Sequence, residues 1–297
     1  MLNTSHGLVL LPKPLQCTNC YDKLFLHLVK SRQPILFSTR NFRLNMKNEH
    51  CPIISIITVV FNGAKTIEET ILSVIHQTYK KIEYIIIDGG STDGTLDVIK
   101  KYTPYIDHLV SEPDSGIYNA MNKGLKLAKG SLLILLNADD SLVANSSIAY
   151  LANNFSGNTE ILVSDTLFQK NEMVKTIKAS NSRSLYLRIP FMHTSCFVSR
   201  NVYEQIGFFN EKYRIAADVD FLMRAFKAKI IIRFLDQPVI CMKAGGISDK
   251  QFVAGRKEYR KIYQEHYHKK IIAWVGYFYS LFDCFFLSKL AALKKAL

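Results

Sequence analysis

The chain has 297 residues, 48% of them hydrophobic and 11% aromatic, which excludes an intrinsically disordered protein and leaves room for one large α/β domain or two smaller ones. Its formal net charge of +13 calls for a polyanionic partner: nucleic acid, an anionic lipid surface or a phosphorylated substrate. The basic residues are scattered, and neither a zinc-finger spacing nor an aromatic and basic RNA-reading run occurs, so no nucleic-acid partner is expected.

Residues 1–50 mix Pro12, Pro14 and Pro34 with short apolar pieces such as Leu8–Leu11 and show no sustained period. No piece is long enough to span a bilayer, and the order of a signal peptide is missing. Met46 lies just before the first convincing strand, so translation is expected to start there, with residues 1–45 an upstream extension, or else a loosely packed appendage. The six cysteines (Cys17, Cys20, Cys51, Cys196, Cys241, Cys284) are widely spread, as suits reduced, buried thiols of a cytoplasmic protein. Cys17 and Cys20 form a lone CxxC, too little for zinc.

From Ile53 the pattern becomes regular. Ile53–Val60 is a β-branched run that reads as a buried strand ending at Phe61-Asn62-Gly63, after which Ile67, Ile71, Val74 and Ile75 fall on one helical face. The strand Tyr84–Ile87 runs into Asp88-Gly89-Gly90-Ser91-Thr92-Asp93-Gly94, followed by a short helix with Leu96 and Ile99 inward. A third strand, His108–Val110, leads to the loop Ser111–Gly116 and a helix with Ile117, Met121, Leu125 and Ala128 on one side. Leu132–Leu136 is a fourth buried strand, and Ile161–Val163 gives another after an intervening helix. Strands alternating with helices mean βαβ units and a mainly parallel sheet.

In such sheets the carboxyl ends of the strands form the binding crevice. Asn62, Asp88, Asp114 and the pair Asp139 and Asp140 all lie at or just after predicted strand ends. Two adjacent carboxylates there suit a divalent cation, Mg²⁺ or Mn²⁺, shared with substrate phosphates. The plainer alternative is a solvated turn in which Asp140 or Ser141 caps a helix beginning near Leu142. The glycines around Asp88 are either turn formers or allow backbone amides to approach a phosphate or base. Neither GxGxxG nor GxxxxGK(S/T) occurs, which excludes a dinucleotide fingerprint and a P-loop.

Together Ser55–Asn62, Ile87–Thr95, Ser111–Gly124 and Leu136–Asp140 make Pro52 to about Ile247 resemble an inverting glycosyltransferase of family 2, with the GT-A fold, similar to bacterial enzymes that build capsule, colanic-acid or O-antigen units. The resemblance implies that Asp88 contacts the nucleobase of a nucleoside-diphosphate sugar, and that Asp139 and Asp140 hold the cation on the diphosphate, with Asp139 also near the ribose. The chain departs from the commonest form at Gly89, where a second aspartate is usual, and at Asn137, where an aspartate is frequent.

In the second half, Thr166–Lys178 reads as a hairpin, and a helix carrying Leu185, Leu187 and Ile189 ends before Pro190. Phe191–Val198 reads as a strand with His193 at its start, either a structural histidine or, as the resemblance implies, a phosphate or acceptor contact. Val219, Leu222, Met223 and Phe226 share one helical face, which puts Asp218 at the start of that helix. Asp218 is then a helix cap or, as the resemblance implies, the general base, with Asp220 beside it at the substrate. Ala217 stands where an acidic residue is common in the resembling enzymes. The turn Ala244–Ser248 is a plain loop or part of a flap over the donor, and the absence of QxxRW favours transfer of one sugar per encounter.

From Lys250 the chain is basic, then apolar and aromatic over Ile271–Leu287, with Asp283 inside and Lys289, Lys294 and Lys295 after it. That run is too short to span a bilayer and reads as a core or dimer helix, or as an interfacial helix on anionic lipid at the inner face of the cytoplasmic membrane. The expected architecture is thus α/β: an extension (1–50), a Rossmann-like GT-A domain with helices flanking a mainly parallel sheet (51–248), and a basic, amphipathic helical tail (249–297). The expected activity is metal-dependent, inverting transfer of a sugar from a nucleoside-diphosphate sugar, UDP first, to a saccharide or lipid-linked saccharide. A nucleotidyltransferase and a non-catalytic membrane scaffold are the alternatives.

Overall fold

The computed structural model describes residues 51–179, 191–246 and 251–267. Seven consecutive buried residues form β1 (Ile54–Val60). In chain order there follow α1 (Ile67–Ile75), β2 (Ile82–Asp88), α2 (Thr95–Lys100), β3 (His108–Ser111), α3 (Ile117–Leu127), β4 (Leu132–Asn137), a two-residue β5 (Ser141–Leu142), α4 (Ser147–Asn154), β6 (Glu160–Lys170) and β7 (Met173–Ile177). A 3₁₀ turn (His193–Ser195) then enters β8 (Cys196–Ser199), followed by α5 (Arg200–Ile206), α6 (Ala217–Lys227), β9 (Ile231–Lys243) and α7 (Phe252–Tyr267).

Among the described residues one sheet runs in the order β3-β2-β1-β4-β8-β6-β9-β5, with β7 hairpinned onto β6. β1, β2 and β4 read as continuous apolar runs because helices cover both faces of the sheet. Helix α3 lies directly against β1 because position 124 is glycine: a Cβ there would come 2.3 Å from the Ile57 Cγ2.

The expectation of a mainly parallel sheet holds for β3, β2, β1 and β4. Beyond β4 the sheet is mixed: β8 is antiparallel to both β4 and β6, and β9 is parallel to β6. Ile161–Val163 is a strand as expected, but β8 separates it from β4. No helix begins near Leu142; Ser141 and Leu142 pair with β9, and the helix starts at Ser147. The expected strand Phe191–Val198 is a 3₁₀ turn followed by a shorter strand. The hairpin over Thr166–Lys178 is present. Cys51 is exposed and Cys196 and Cys241 are half-buried free thiols, so those three are less enclosed than expected. Residues 1–50, the helix before Pro190, the end of the Gly-Gly-Ile-Ser turn and residues 268–297 lie outside the described residues. Among the described residues no helix is long and apolar enough to cross a membrane.

Candidate active site

The parallel strands end level with one another. Val60 pairs with Asp88, Asp88 with Ser111, and Val59 with Asn137, so the segments after β1, β2, β3 and β4 leave from one edge. Extending the β4–β8 register, in which Leu133 faces Val198, brings the His193–Ser195 turn to the same edge.

The loops after β1 and β2 are laced together. Asn62 takes the left-handed conformation (φ 52°) that asparagine tolerates better than most residues. Its N–H donates to Ser91 Oγ at 2.7 Å, and its Oδ1 accepts the Thr92 N–H at 3.0 Å. The Gly63 N–H donates to Thr95 Oγ1 and the Ala64 N–H to Asp93 Oδ2. Asp88 is fully buried, its carboxylate accepting from the N–H groups of Gly90 and Ser91 and from Ser111 Oγ at 2.7 Å. Asp88 therefore organises its own loop. Asp114, after β3, is half-buried; its Oδ1 accepts the Gly116 N–H at 2.8 Å, while its Oδ2 has no donor among the described residues.

At the end of β4, Asp140 is 2% exposed. Its Oδ1 accepts the Lys243 N–H at 3.2 Å and its Oδ2 an Asn137 side-chain N–H at 3.0 Å. Burial, with the Asp139 charge beside it, pushes the Asp140 carboxyl up to about 7, and those donors offset this only in part. Asn137 Oδ1 is buried without a partner. Among the described residues no three His, Cys, Asp or Glu side chains form a group that could hold a metal ion. A site of two carboxylates completed by substrate phosphates and waters is, however, the usual arrangement for Mg²⁺. The surplus negative charge and the orphaned oxygen at residues 137–140 fit such a cation. Lys243 also lines an open cleft of about 730 Å³ with Gln169, Lys170 and Ala244, beside Asp140.

Asp218 lies in the first turn of α6, where no side chain caps the helix and the N-cap position is Ala216. Its carboxylate is engaged elsewhere. Tyr118 donates its hydroxyl to Asp218 Oδ1 at 2.9 Å, sharing that proton with the Ile215 carbonyl, and His193 Nδ1 lies 3.4 Å from Asp218 Oδ2. Burial, and the Asp218 charge beside it, pushes the Tyr118 phenol well above its ordinary value, so it remains a donor. Asp218 and His193 together line a small pocket with Leu135 of β4. Tyr118, carried by α3, was not singled out in the sequence, since nothing local distinguishes it from a core tyrosine.

Asp220, two residues on, points to the other side of α6. It is 4% exposed, and its oxygens take Arg224 Nε at 3.0 Å and His266 Nε2 at 2.9 Å. The substrate contact expected of Asp220 thus meets a carboxylate already committed to α7. That helix also grips the segment leading to Asp218. Glu258 accepts the backbone N–H groups of Arg214, Ile215 and Ala216 at 2.9 to 3.0 Å, and Glu265 accepts from Lys212 and Tyr213. Ile262 and Tyr263 are buried in the same contact, so the stretch set apart from residue 249 begins as part of the domain's packing. The only hint of Glu258 in the sequence is an acid within the basic run Arg256, Lys257, Arg260, Lys261.

Comparison with known proteins places the chain among glycosyltransferases. The chain is 32% identical over 213 residues, 68% of its length and 83% of theirs, to PGL/p-HBAD biosynthesis glycosyltransferases of Mycobacterium bovis and Mycobacterium tuberculosis. Among solved structures it superposes on S. aureus TarS in complex with UDP-GlcNAc with a TM-score of 0.59 and 21% identity, over 70% of this chain and 65% of that one. A Pyrobaculum calidifontis mannosyltransferase in complex with GDP-Man and Mn²⁺ gives a TM-score of 0.54 at 20% identity, over 75% and 65%. In another TarS structure the chain spans only 38% of the neighbour's length. These likenesses establish the GT-A fold, and a nucleotidyltransferase or a scaffold is set aside. The profile described as Glycosyl transferase family 2 matches residues 55–235, and the chain belongs to that family.

Proposed function

We propose that this glycosyltransferase moves one sugar from a nucleoside-diphosphate sugar, a UDP-sugar in the first instance, to a hydroxyl of a lipid-linked saccharide in cell-surface polysaccharide biosynthesis, with inversion. The observation that carries the reading is Asp218, a carboxylate held by a hydroxyl and an imidazole instead of capping its own helix. A carboxylate so fixed takes the acceptor's proton as the hydroxyl oxygen attacks the anomeric carbon, a contribution of ~10²–10⁴-fold in rate. Attack from the side opposite the leaving diphosphate inverts the centre, so an α-linked donor gives a β-linked product. Tyr118 holds one oxygen of Asp218 in place, and His193 lies beside the other and borders the acceptor. Asp139 and Asp140 would hold a Mg²⁺ or Mn²⁺ shared with the donor diphosphate, where such a cation supplies charge stabilisation to the leaving group. The donors of the structural neighbours, UDP-GlcNAc and GDP-Man with Mn²⁺, support a nucleotide-sugar donor here. The basic and aromatic sequence after residue 268 supports peripheral contact with the inner face of the cytoplasmic membrane.

The test is release of nucleoside diphosphate from a panel of nucleotide sugars with Mn²⁺ and a membrane-lipid extract as acceptor source. Asp218→Asn is expected to lower kcat by about 10² or more while donor binding, followed by calorimetry, stays within about twofold. Undiminished turnover in that variant removes Asp218 as the base.

A further inference from the structure

β6 outruns its neighbours. β8 pairs with it only over Ile161–Val163, and β9 ends at Lys243 opposite Gln169, so Lys170 and the turn at Asn171 and Glu172 project past the end of β9. Asn171 takes the left-handed conformation (φ 54°) that so short a turn needs, and β7 returns along β6 with Lys170 opposite Met173, Gln169 opposite Val174 and Phe168 opposite Lys175. β6 is buried through Thr166 and loses its cover towards Lys170, and the whole of Met173–Thr176 is exposed. Met173 is 73% exposed and Val174 57%, two apolar side chains in sequence at the end of the hairpin that the domain's packing does not use. Their surroundings are basic. Cross-strand partners share a face, so Phe168, Lys170, Met173 and Lys175 lie on one side of the hairpin. Neither Lys170 nor Lys175 has a carboxylate partner among the described residues, whereas Lys178 is paired with Asp165 at 2.8 Å. Glu172 in the turn is the one acid from Thr166 to Lys178, and from Met173 to Pro190 the sequence has none.

The same hairpin walls the cleft beside Asp140. Phe168–Asn171 line it on one side and Lys243–Gly245 on the other, and the Ala244 N–H donates to the Gln169 carbonyl at 2.9 Å. A tip that combines unpaired lysines with bare methionine and valine suits a surface that is negative outside and apolar a few ångströms in, the headgroup region of an anionic bilayer. A second copy of the chain fits worse. β7 leaves one edge unpaired, but antiparallel pairing of two such edges about their central residue would set Lys175 against Lys175, and a lysine so placed is one way edge strands are kept from pairing. We propose that the β6–β7 hairpin is a membrane-docking element: Met173 and Val174 enter the headgroup region of anionic lipid, Lys170 and Lys175 meet the lipid phosphates, and the cleft beside Asp140 opens at the membrane surface. This rests on the lipid-linked acceptor of the reading above and goes beyond it by naming a contact within the domain itself, apart from the sequence after residue 268.

Binding of the full chain to vesicles of phosphatidylcholine mixed with phosphatidylglycerol tests it. Met173→Trp places a reporter at the tip. Once the signal of Trp274 in the wild type is subtracted, its emission is expected to shift to the blue and to be quenched by lipid spin-labelled just below the headgroup. Met173→Asp with Val174→Asp should lower the partition coefficient about tenfold or more, and Lys175→Gln about fivefold at low salt. All are surface substitutions, so thermal melting should match the wild type. Turnover on a lipid-linked acceptor in vesicles is expected to fall with the partition coefficient, and turnover on a water-soluble acceptor to stay as it was. If the Met173→Trp reporter remains in water while the chain binds anionic vesicles, or if the double variant binds them as the wild type does, the hairpin is not the contact and the membrane reading rests on the tail alone. A dimer that forms with rising concentration and is lost in the double variant, followed by sedimentation, overturns the proposal in favour of a contact between copies. A wild type that does not bind anionic vesicles removes the membrane contact of the proposed function, and this inference with it.

Discussion

Asp218 and Asp220 sit two residues apart on α6, about 200° around the helix, and their surroundings give them different work. Asp218 has a hydroxyl on one oxygen and an imidazole near the other, and its side chain is 15% exposed. Asp220 is enclosed. Burial pushes its carboxyl up, but the hydrogen bonds and charges of His266 and Arg224 outweigh this and hold it below the ordinary value. A carboxyl lowered in the folded state contributes stability that is full above its unfolded value of about 4 and is lost as pH falls through the folded one. Asp220→Asn is therefore expected to destabilise the chain by about 2–3 kcal/mol at neutral pH, since it removes the charge and sets an amide N–H against one of the two donors in a largely buried site. The gap between variant and wild type should close towards pH 3. Urea titrations at a series of pH values measure this. A gap as large at pH 3 as at pH 7 would mean that packing, not charge, is what Asp220 supplies.

At the scale of elements, α6 begins without a side-chain cap, and the segment leading into it is clamped by α7 from 42 to 44 residues away. Three N–H groups converge on the single carboxylate of Glu258, and these belong to the segment that leads into α6 and Asp218. Charge-assisted hydrogen bonds of this kind are about twice as strong as neutral ones. Glu258→Ala should cost about 1–3 kcal/mol in stability. Because the freed segment carries the base, kcat should also fall about tenfold with donor KM unchanged, and Glu258→Gln, which keeps an acceptor oxygen, should lie between. Steady-state kinetics on variants verified as folded decide the matter; an unaltered kcat would reduce Glu258 to a purely structural clamp. This contact also marks where the sequence stops being legible. The β-branched runs of β1, β2 and β4 declare themselves, and with them the edge bearing Asn62, Asp88, Asp114 and Asp139. A clamp supplied from another helix leaves no local signature. The order of β8, β6 and β9 is equally hidden, because a strand buried on both faces reads alike whether its neighbours run parallel or antiparallel. Gly89 is visible as a departure from the family pattern, but that the Asp114 carboxyl fills the space a side chain there would take depends on two loops meeting in space.

For the whole molecule, the question is what a net charge of +13 is for. The acidic residues that matter are spent inward: Asp88 on its loop, Asp220, Glu258 and Glu265 on the contact between α7 and the segment before α6. Much of the positive charge lies late in the chain, from Arg256 through Lys295, flanking the aromatic run Ile271–Leu287. α7, which holds the segment leading to Asp218, runs in the chain directly into this basic and aromatic sequence. The proposed membrane contact predicts that the full chain binds vesicles of phosphatidylcholine mixed with phosphatidylglycerol, and binds phosphatidylcholine alone far more weakly. Each lysine near an anionic surface is worth about 1 kcal/mol. Replacing Lys289, Lys294 and Lys295 together by glutamine should therefore lower the vesicle partition coefficient by about a hundredfold at low salt, and by less at 0.5 M salt, where screening already weakens the attraction. Turnover with a water-soluble acceptor should be unchanged, because these lysines carry no part of the chemistry. Equal binding to neutral and anionic vesicles, or none to either, would leave the positive charge to the donor's diphosphate alone and detach the enzyme from the membrane.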